Sequence, residues 1–317
     1  MKQRNEVKHK PNALRRWLIR AIWCFGATTL VGIILGGVLL FNIAKASAAL
    51  NRQGQTNIYT KEQIDKFITS VLITVQNQPL NQEDAQADMV FIASFNAFEQ
   101  RLTVVALDRD TMLEVEGYGQ KTLGETYALG GPGLLVNAMN QNFELDLQSY
   151  ACTDTNSMAA MIDLLGGIKA DLTPDEADYI NNALKENSGG VGSGQTTLTG
   201  MQSMVHAMDK LSGEAPFPNL SRSLTLIHSA ILNMRKTATK EAMLPLLSLV
   251  FSSIRTNLDI TTLHDLGYEI LKAEEIEYNS LILPCEGSWE TLEEAGEGLK
   301  VDIPRNAKLL WETLFHN

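Results

Sequence analysis

Residues 88–111 read DMVFIASFNAFEQRLTVVALDRDT, and their pattern decides the fold class. Residues 89–93 and 102–107 are apolar runs of strand length, separated by a polar turn around Asn96 and Glu99. Two such runs with a turn between them read as neighbouring strands. The second run passes directly into Arg109-Asp110-Thr111.

Working outward, helical and strand patterns interleave. A strand is expected over 149–153 and another, alternating, over 277–283. Helices are expected over 134–142, after the break at Gly130-Gly131-Pro132-Gly133, and over 157–165, stopped by Gly166-Gly167. Thr173-Pro174-Asp175-Glu176 reads as a capping box opening a helix to about Lys185. Thr199 with Gln202 opens a helix through about Leu211, and further helices are expected over 222–236, 240–255, 263–272 and 306–315. Residues 187–197 and 212–220 read as loops. Apolar residues at Ile64, Phe67, Ile68, Val71 and Leu72 recur at three and four positions, which predicts a helix from Thr60 to about Val75. The fold class is therefore α/β, a central mixed β-sheet covered by helices on both faces.

Charge is distributed unevenly. The 317 residues carry 26 basic and 37 acidic side chains, a net −11. Residues 1–20 hold seven basic residues and a single acid, Glu6, whereas 21–44 (AIWCFGATTLVGIILGGVLLFNIA) hold no charge at all. The remainder, with 19 basic and 36 acidic residues, stands at −17. Twenty-four uncharged residues exceed the ~20 that a membrane-spanning helix needs. Basic residues stay on the cytoplasmic side, so the pattern predicts a cytoplasmic segment 1–20, a single transmembrane helix 21–44, a juxtamembrane linker and helix 45–80, and an extracytoplasmic domain 81–317 at the cell membrane. A cleaved signal peptide is the rival reading, against which the apolar stretch is longer than the usual ~7–15 residues. The acidic balance argues against nucleic acid as a partner.

Generic motifs say little. There is no Walker A loop, HExxH or GxSxG, and the five histidines show no metal-ligand spacing. His206 and His228 fall on expected helices, where a plain surface or packed role suffices. Cys152 and Cys285 lie in the external part, where a disulfide between them is permitted but not established.

Several ordered blocks go further. Asp88-Met-Val-Phe-Ile-Ala-Ser94, Val104-Val-Ala-Leu-Asp-Arg109-Asp110-Thr111, Tyr127-Ala-Leu-Gly130-Gly131, Met161-Ile-Asp163-Leu-Leu-Gly166-Gly167-Ile168 and Leu198-Thr-Gly200-Met-Gln202 together resemble the LytR-CpsA-Psr family, also called the cell-envelope-related transcriptional attenuator family. The resemblance runs from Asp88 to Arg235. It implies a transferase that moves a glycopolymer from a polyprenyl-pyrophosphate lipid onto peptidoglycan. It also implies Mg²⁺ held by Asp88 and Asp110, a pyrophosphate clamped by Arg109, Lys210 and Arg222, and Arg109, Asp110 and Arg222 as catalytic residues. Arginine suits such a ligand because its fork of donors matches phosphate oxygens.

The chain also departs from the family pattern. Met208 and Lys210 stand where the family usually has Arg, in the run His206-Ala207-Met208-Asp209-Lys210. Asn219 stands for Asp, Thr225 for Arg, and Asp108 for Pro. The alternative reading is thus a catalytically impaired relative that binds polyprenyl-phosphate lipids, or a partner protein, as a scaffold or regulator.

Overall fold

The computed structural model describes residues 67–80, 85–184, 190–210, 216–237, 252–272, 275–292 and 298–315, with the single positions 58, 82, 249 and 250. The expectations for residues 1–44, the juxtamembrane linker expected from residue 45 apart from position 58, and most of the helix expected over 240–255 lie outside the described residues. Among the described residues no helix is long and apolar enough to cross a membrane.

The expected pair of strands is present as β2 (Met89–Asn96) and β3 (Arg101–Leu107), antiparallel, with Val90 opposite Leu107 and Asn96 opposite Arg101. They lie inside a six-stranded mixed sheet in the order β10-β3-β2-β1-β6-β9. Here β1 is Ile68–Gln76, β6 Ser149–Asp154, β9 Arg255–Thr256 and β10 Glu277–Leu283. The β1–β6 and β3–β10 pairs are parallel, and the other neighbours are antiparallel.

Strand β1 corrects the helix expected over 60–75 from Ile68 onward, and residues 60–66 lie outside the described residues. Its burial does not alternate, because a central strand is covered on both faces. That produces apolar spacings of three and four which imitate a helix. Six of its nine residues are β-branched, and side chains stiff at χ1 favour the pleated sheet. Residues 68–76 therefore belong to the domain rather than to a juxtamembrane helix.

Both faces of the sheet are buried. On one, Leu72, Val90, Ile92, Val105 and Leu107 pack against helix α1 (Leu123–Phe143) and α7 (Ile303–Phe315). On the other, Val75, Met89, Phe91, Val104 and Ala106 meet α2 (Thr155–Leu164), α4 (Gly200–Met208), α5 (Pro218–Thr237) and α6 (Ile260–Lys272). The alternation of Val90 and Ile92 with Met89 and Phe91 is the period-two pattern of a strand between two layers.

Three hairpins decorate this frame. They are β4 (Met112–Val115) with β5 (Gly119–Thr122), β7 (Ile168–Leu172) with β8 (Gly194–Leu198), and β11 (Trp289–Leu292) with β12 (Gly298–Val301). Helix α3 (Pro174–Leu184) bridges β7 and β8. Strand β8 corrects the loop expected over 187–197, since Gln195-Thr-Thr-Leu198 pairs across to 168–171. Arg255 likewise sits in β9 rather than at a helix end.

The glycine-rich blocks have steric causes. Gly131 adopts φ 66°, ψ −162°, which L-residues avoid, and with the non-helical Gly130 interrupts α1 where the break at 130–133 is expected. A Cβ on Gly200 would lie 1.9 Å from the Ala159 carbonyl oxygen, so α2 and α4 touch backbone to backbone there. Asp163 of the Asp-x-x-Gly-Gly block accepts the Gly200 N–H at 2.6 Å, tying α2 to the N-terminus of α4. Cys152 and Cys285 are both free, and Cys152 is fully buried.

Candidate functional site

Because β2 and β3 are antiparallel, Asp88, which precedes β2, and Arg109, which follows β3, meet at the same sheet edge. The parallel strands β1, β6, β3 and β10 all end at that edge. Ligands of α/β folds bind characteristically outside the carboxyl ends of parallel strands.

The turn at 108–111 is held by its backbone on every side. Asp108 N–H donates to Leu283 O and Thr111 N–H to Asp108 O. The carbonyls of Arg109, Asp110 and Thr111 accept from Gly124, Leu299 and Leu123. The Asp110 N–H also donates to Asp108 Oδ1 at 2.9 Å. Such a turn presents its side chains from a fixed frame, as a charge-stabilising site requires.

Those side chains form a string of charges. Arg109 Nη1 donates to Asp88 Oδ1, and Asp88 Oδ2 accepts the Asn77 N–H at 2.9 Å. Arg109 Nε lies 3.5 Å from Asp110 Oδ1. Lys210 Nζ reaches Asp110 Oδ2 at 2.7 Å. Asp88 is 9% exposed, whereas Arg109 and Asp110 are each 33% and Lys210 44% exposed, so the cations face solvent. Burial pushes the Asp88 carboxyl above the usual carboxylate range, against the opposing charge of Arg109 and the Asn77 N–H. Burial likewise raises Asp108, against Lys210 and the Asp110 N–H. Three carboxylates thus face two cations.

Arg222, on α5, lies beside this string but is engaged by other groups. Its Nε donates to Glu176 Oε1 at 2.7 Å, and its Nη1 donates to the Asp209 carbonyl at 2.8 Å. The Asp209 carboxylate is 3.8 Å away. Asp209 is the residue before Lys210, so Arg222 is joined to Asp110 by one peptide and one ion pair. His206 Nε2 lies 3.2 Å from the same Glu176 oxygen. Burial pushes the Glu176 carboxyl up, but the hydrogen bonds from Thr173, Arg222 and His206 outweigh it and hold the group at about 2.

Five of the charged residues singled out in the sequence, Asp88, Arg109, Asp110, Lys210 and Arg222, are brought together in this way. Glu176 and Asp209 were not among them. Glu176 does form the expected capping box, with Thr173 N–H and O–H on its Oε2. Its second oxygen is committed to Arg222, 46 residues away, and no local pattern signals that.

Asp88 and Asp110 both contact Arg109, Asp88 through Nη1 and Asp110 through Nε. Two carboxylates completed by phosphate oxygens are a donor set that suits Mg²⁺. Among the described residues no three His, Cys, Asp or Glu side chains gather into a protein-only metal site.

The architecture, a mixed sheet between helical layers, agrees with what comparison shows. The chain belongs to the LytR_cpsA_psr family, whose model matches residues 39–308. It is 21% identical over 224 residues to the regulatory protein MsrR of Staphylococcus aureus, covering 70% of this chain and 66% of that one. It is 23% identical over 216 residues to the polyisoprenyl-teichoic acid–peptidoglycan teichoic acid transferase TagU of Oceanobacillus iheyensis, covering 65% and 63%. The chain thus spans just under two thirds of the length of these relatives. Among solved structures, TagT bound to LI-WTA superposes with a TM-score of 0.67 at 16% identity, covering 82% of this chain and 98% of TagT. YwtF (TagT) with bound octaprenyl pyrophosphate lipid gives 0.63 at 17% identity, with the same coverage.

Proposed function

We propose that the protein is a membrane-anchored, extracytoplasmic transferase that moves a glycopolymer of the teichoic-acid class from a polyprenyl-pyrophosphate lipid onto peptidoglycan. The names of TagU and of the TagT complexes support the class of substrate. The uncharged stretch 21–44 behind a basic N-terminus supports an anchor with the domain outside. The observation that carries the reading is the Lys210–Asp110 pair, which brings the 206–210 segment onto the Asp88–Arg109–Asp110 corner.

In this reading Arg109 and Lys210 bind the pyrophosphate oxygens, and Arg222 adds a third positive charge behind Lys210. Asp88 and Asp110 would hold Mg²⁺, which when bound offsets charge on the phosphate oxygens. The acceptor hydroxyl oxygen forms a bond to the sugar-bearing phosphorus, and the bond from that phosphorus to the bridging oxygen breaks. Polyprenyl phosphate leaves with the electron pair, and the hydroxyl proton passes to solvent. The cations oppose charge that grows on the phosphate oxygens in the transition state, which is where preorganised charge contributes most. A membrane anchor in the same chain raises the effective concentration of the lipid.

A second reading is favoured by one feature of the site. Arg222 is held by Glu176 and Asp209, while Met208 supplies no charge where the family usually has Arg. A relative that binds the lipid without turnover would have this weakened cation set. Incubating the full chain in detergent with Mg²⁺, a polyprenyl-pyrophosphoryl glycan and a peptidoglycan oligomer separates the two. Transferred product that disappears in Arg109→Ala supports transfer, and bound lipid without product supports the second reading.

A further inference from the structure

We infer that Glu176, in the first turn of α3, is a positioning residue that aims Lys210 at the pyrophosphate site through Arg222 and Asp209. The inference rests on the lipid-pyrophosphate reading above and deepens it.

A capping role accounts for only half of this carboxylate. Thr173 uses Oε2. Oε1 is shared by Arg222 Nε from α5 and His206 Nε2 from α4. An ionised carboxylate can only accept, so the His206 nitrogen must carry the proton it shares. The three side chains are 11–16% exposed, where a charged hydrogen bond holds geometry far better than at an open surface.

The consequence falls on the end of α4. Asp209 is its C-cap, with extended backbone (φ −67°, ψ 113°), and there the chain leaves the helix. Arg222 Nη1 holds the Asp209 carbonyl at 2.8 Å. A peptide group is planar, so fixing that carbonyl fixes where Lys210 starts. Lys210 then spans to Asp110 Oδ2. Glu176 therefore grips the last turn of α4 twice, directly at His206 and through Arg222 at Asp209. Without it, Arg222 loses the acceptor that sets its direction, and the Lys210 backbone loses its tether.

The test is a double-mutant cycle on the full chain in detergent with Mg²⁺, read as affinity for octaprenyl pyrophosphate. Glu176→Ala and Lys210→Ala should each weaken binding about tenfold, and the double variant also about tenfold rather than a hundredfold, because residues acting through one another are not additive. Glu176→Gln, which keeps an acceptor oxygen for Arg222, should lose less than about threefold. Should Glu176→Ala not fold, Glu176→Asp, which keeps the charge but falls short of Arg222, takes its place in the cycle. Wild-type affinity in the Glu176 variant, or losses that multiply in the double variant, overturns the inference, as does absence of binding by the wild type. A parallel transfer assay keeps the two readings apart. No product from the wild type with the affinity pattern intact sinks the transferase while leaving the positioning role. Product formed equally by wild type and the Glu176 variants, with unchanged affinity, does the reverse.

Discussion

Lys210 Nζ lies 2.7 Å from Asp110 Oδ2, joining the end of α4 to the turn after β3 across 100 residues of chain. With 44% and 33% of the side chains exposed, this pair contributes under about 1 kcal/mol to stability. Its value lies in where it leaves a cation. Lys210→Ala is expected to leave the melting temperature nearly unchanged while lowering the initial transfer rate about ten- to a hundredfold. Lys210→Arg, which presents a fork to phosphate, should match or exceed the wild type. An unchanged rate in Lys210→Ala would remove Lys210 from the site.

Glu176 should give the fold an acid-sensitive arm. Its carboxyl titrates at about 2 when folded and at the ordinary 4.5 when unfolded, so it stabilises above 4.5 and loses that contribution as pH falls toward 2. His206 adds to this at higher pH. Burial lowers its folded value, against the pull of Glu176, so it too stabilises above the ordinary 6.5 and costs stability below. Urea midpoints measured against pH should show the wild-type advantage over Glu176→Gln shrinking between pH 4.5 and about 2. Parallel curves would contradict the charge assignment.

Gly200→Ala is expected to destabilise by about 1–3 kcal/mol or more, since its Cβ meets backbone at Ala159 rather than a side chain that can swing away. Because Lys210 follows the cap at the other end of α4, lipid affinity should fall as well. Urea unfolding checks the first expectation, and a wild-type midpoint would refute the close approach.

Tyr127→Phe probes the support behind Asp88. The Tyr127 hydroxyl donates to Gln76 Oε1 at 2.9 Å and accepts from Arg255 Nη2 at 3.1 Å, and burial pushes its ionisation far up. Gln76 Nε2 in turn holds the carbonyls of Gln78 and Pro79, just after Asn77, whose N–H binds Asp88. Removing the hydroxyl leaves buried groups short of a partner and should cost about 1–3 kcal/mol by chemical denaturation. A neutral effect would show that the network relaxes around the loss.

Much of this arrangement is legible in the sequence, and the illegible parts share a cause. Strands β2, β3 and β10 and the capping box at Thr173 follow from local pattern, because each is fixed by neighbours a few residues away. Strand β1 is not, since cover on both faces erases the alternation that marks a strand. Strand β8 depends on a partner beyond α3, and its Gly/Ser-rich approach reads as loop. At the site, the Arg-Asp turn stands out as charge after an apolar run. The part played by Glu176 does not, because its partners Arg222 and His206 come from other helices.

The most direct measurement is a crystal structure of the protein with octaprenyl pyrophosphate and Mg²⁺. A diphosphate lying between Arg109 and Lys210, with Asp88 and Asp110 on the metal, is the expected result. A head group bound away from the turn at 108–111, touching neither Arg109 nor Lys210, would contradict it.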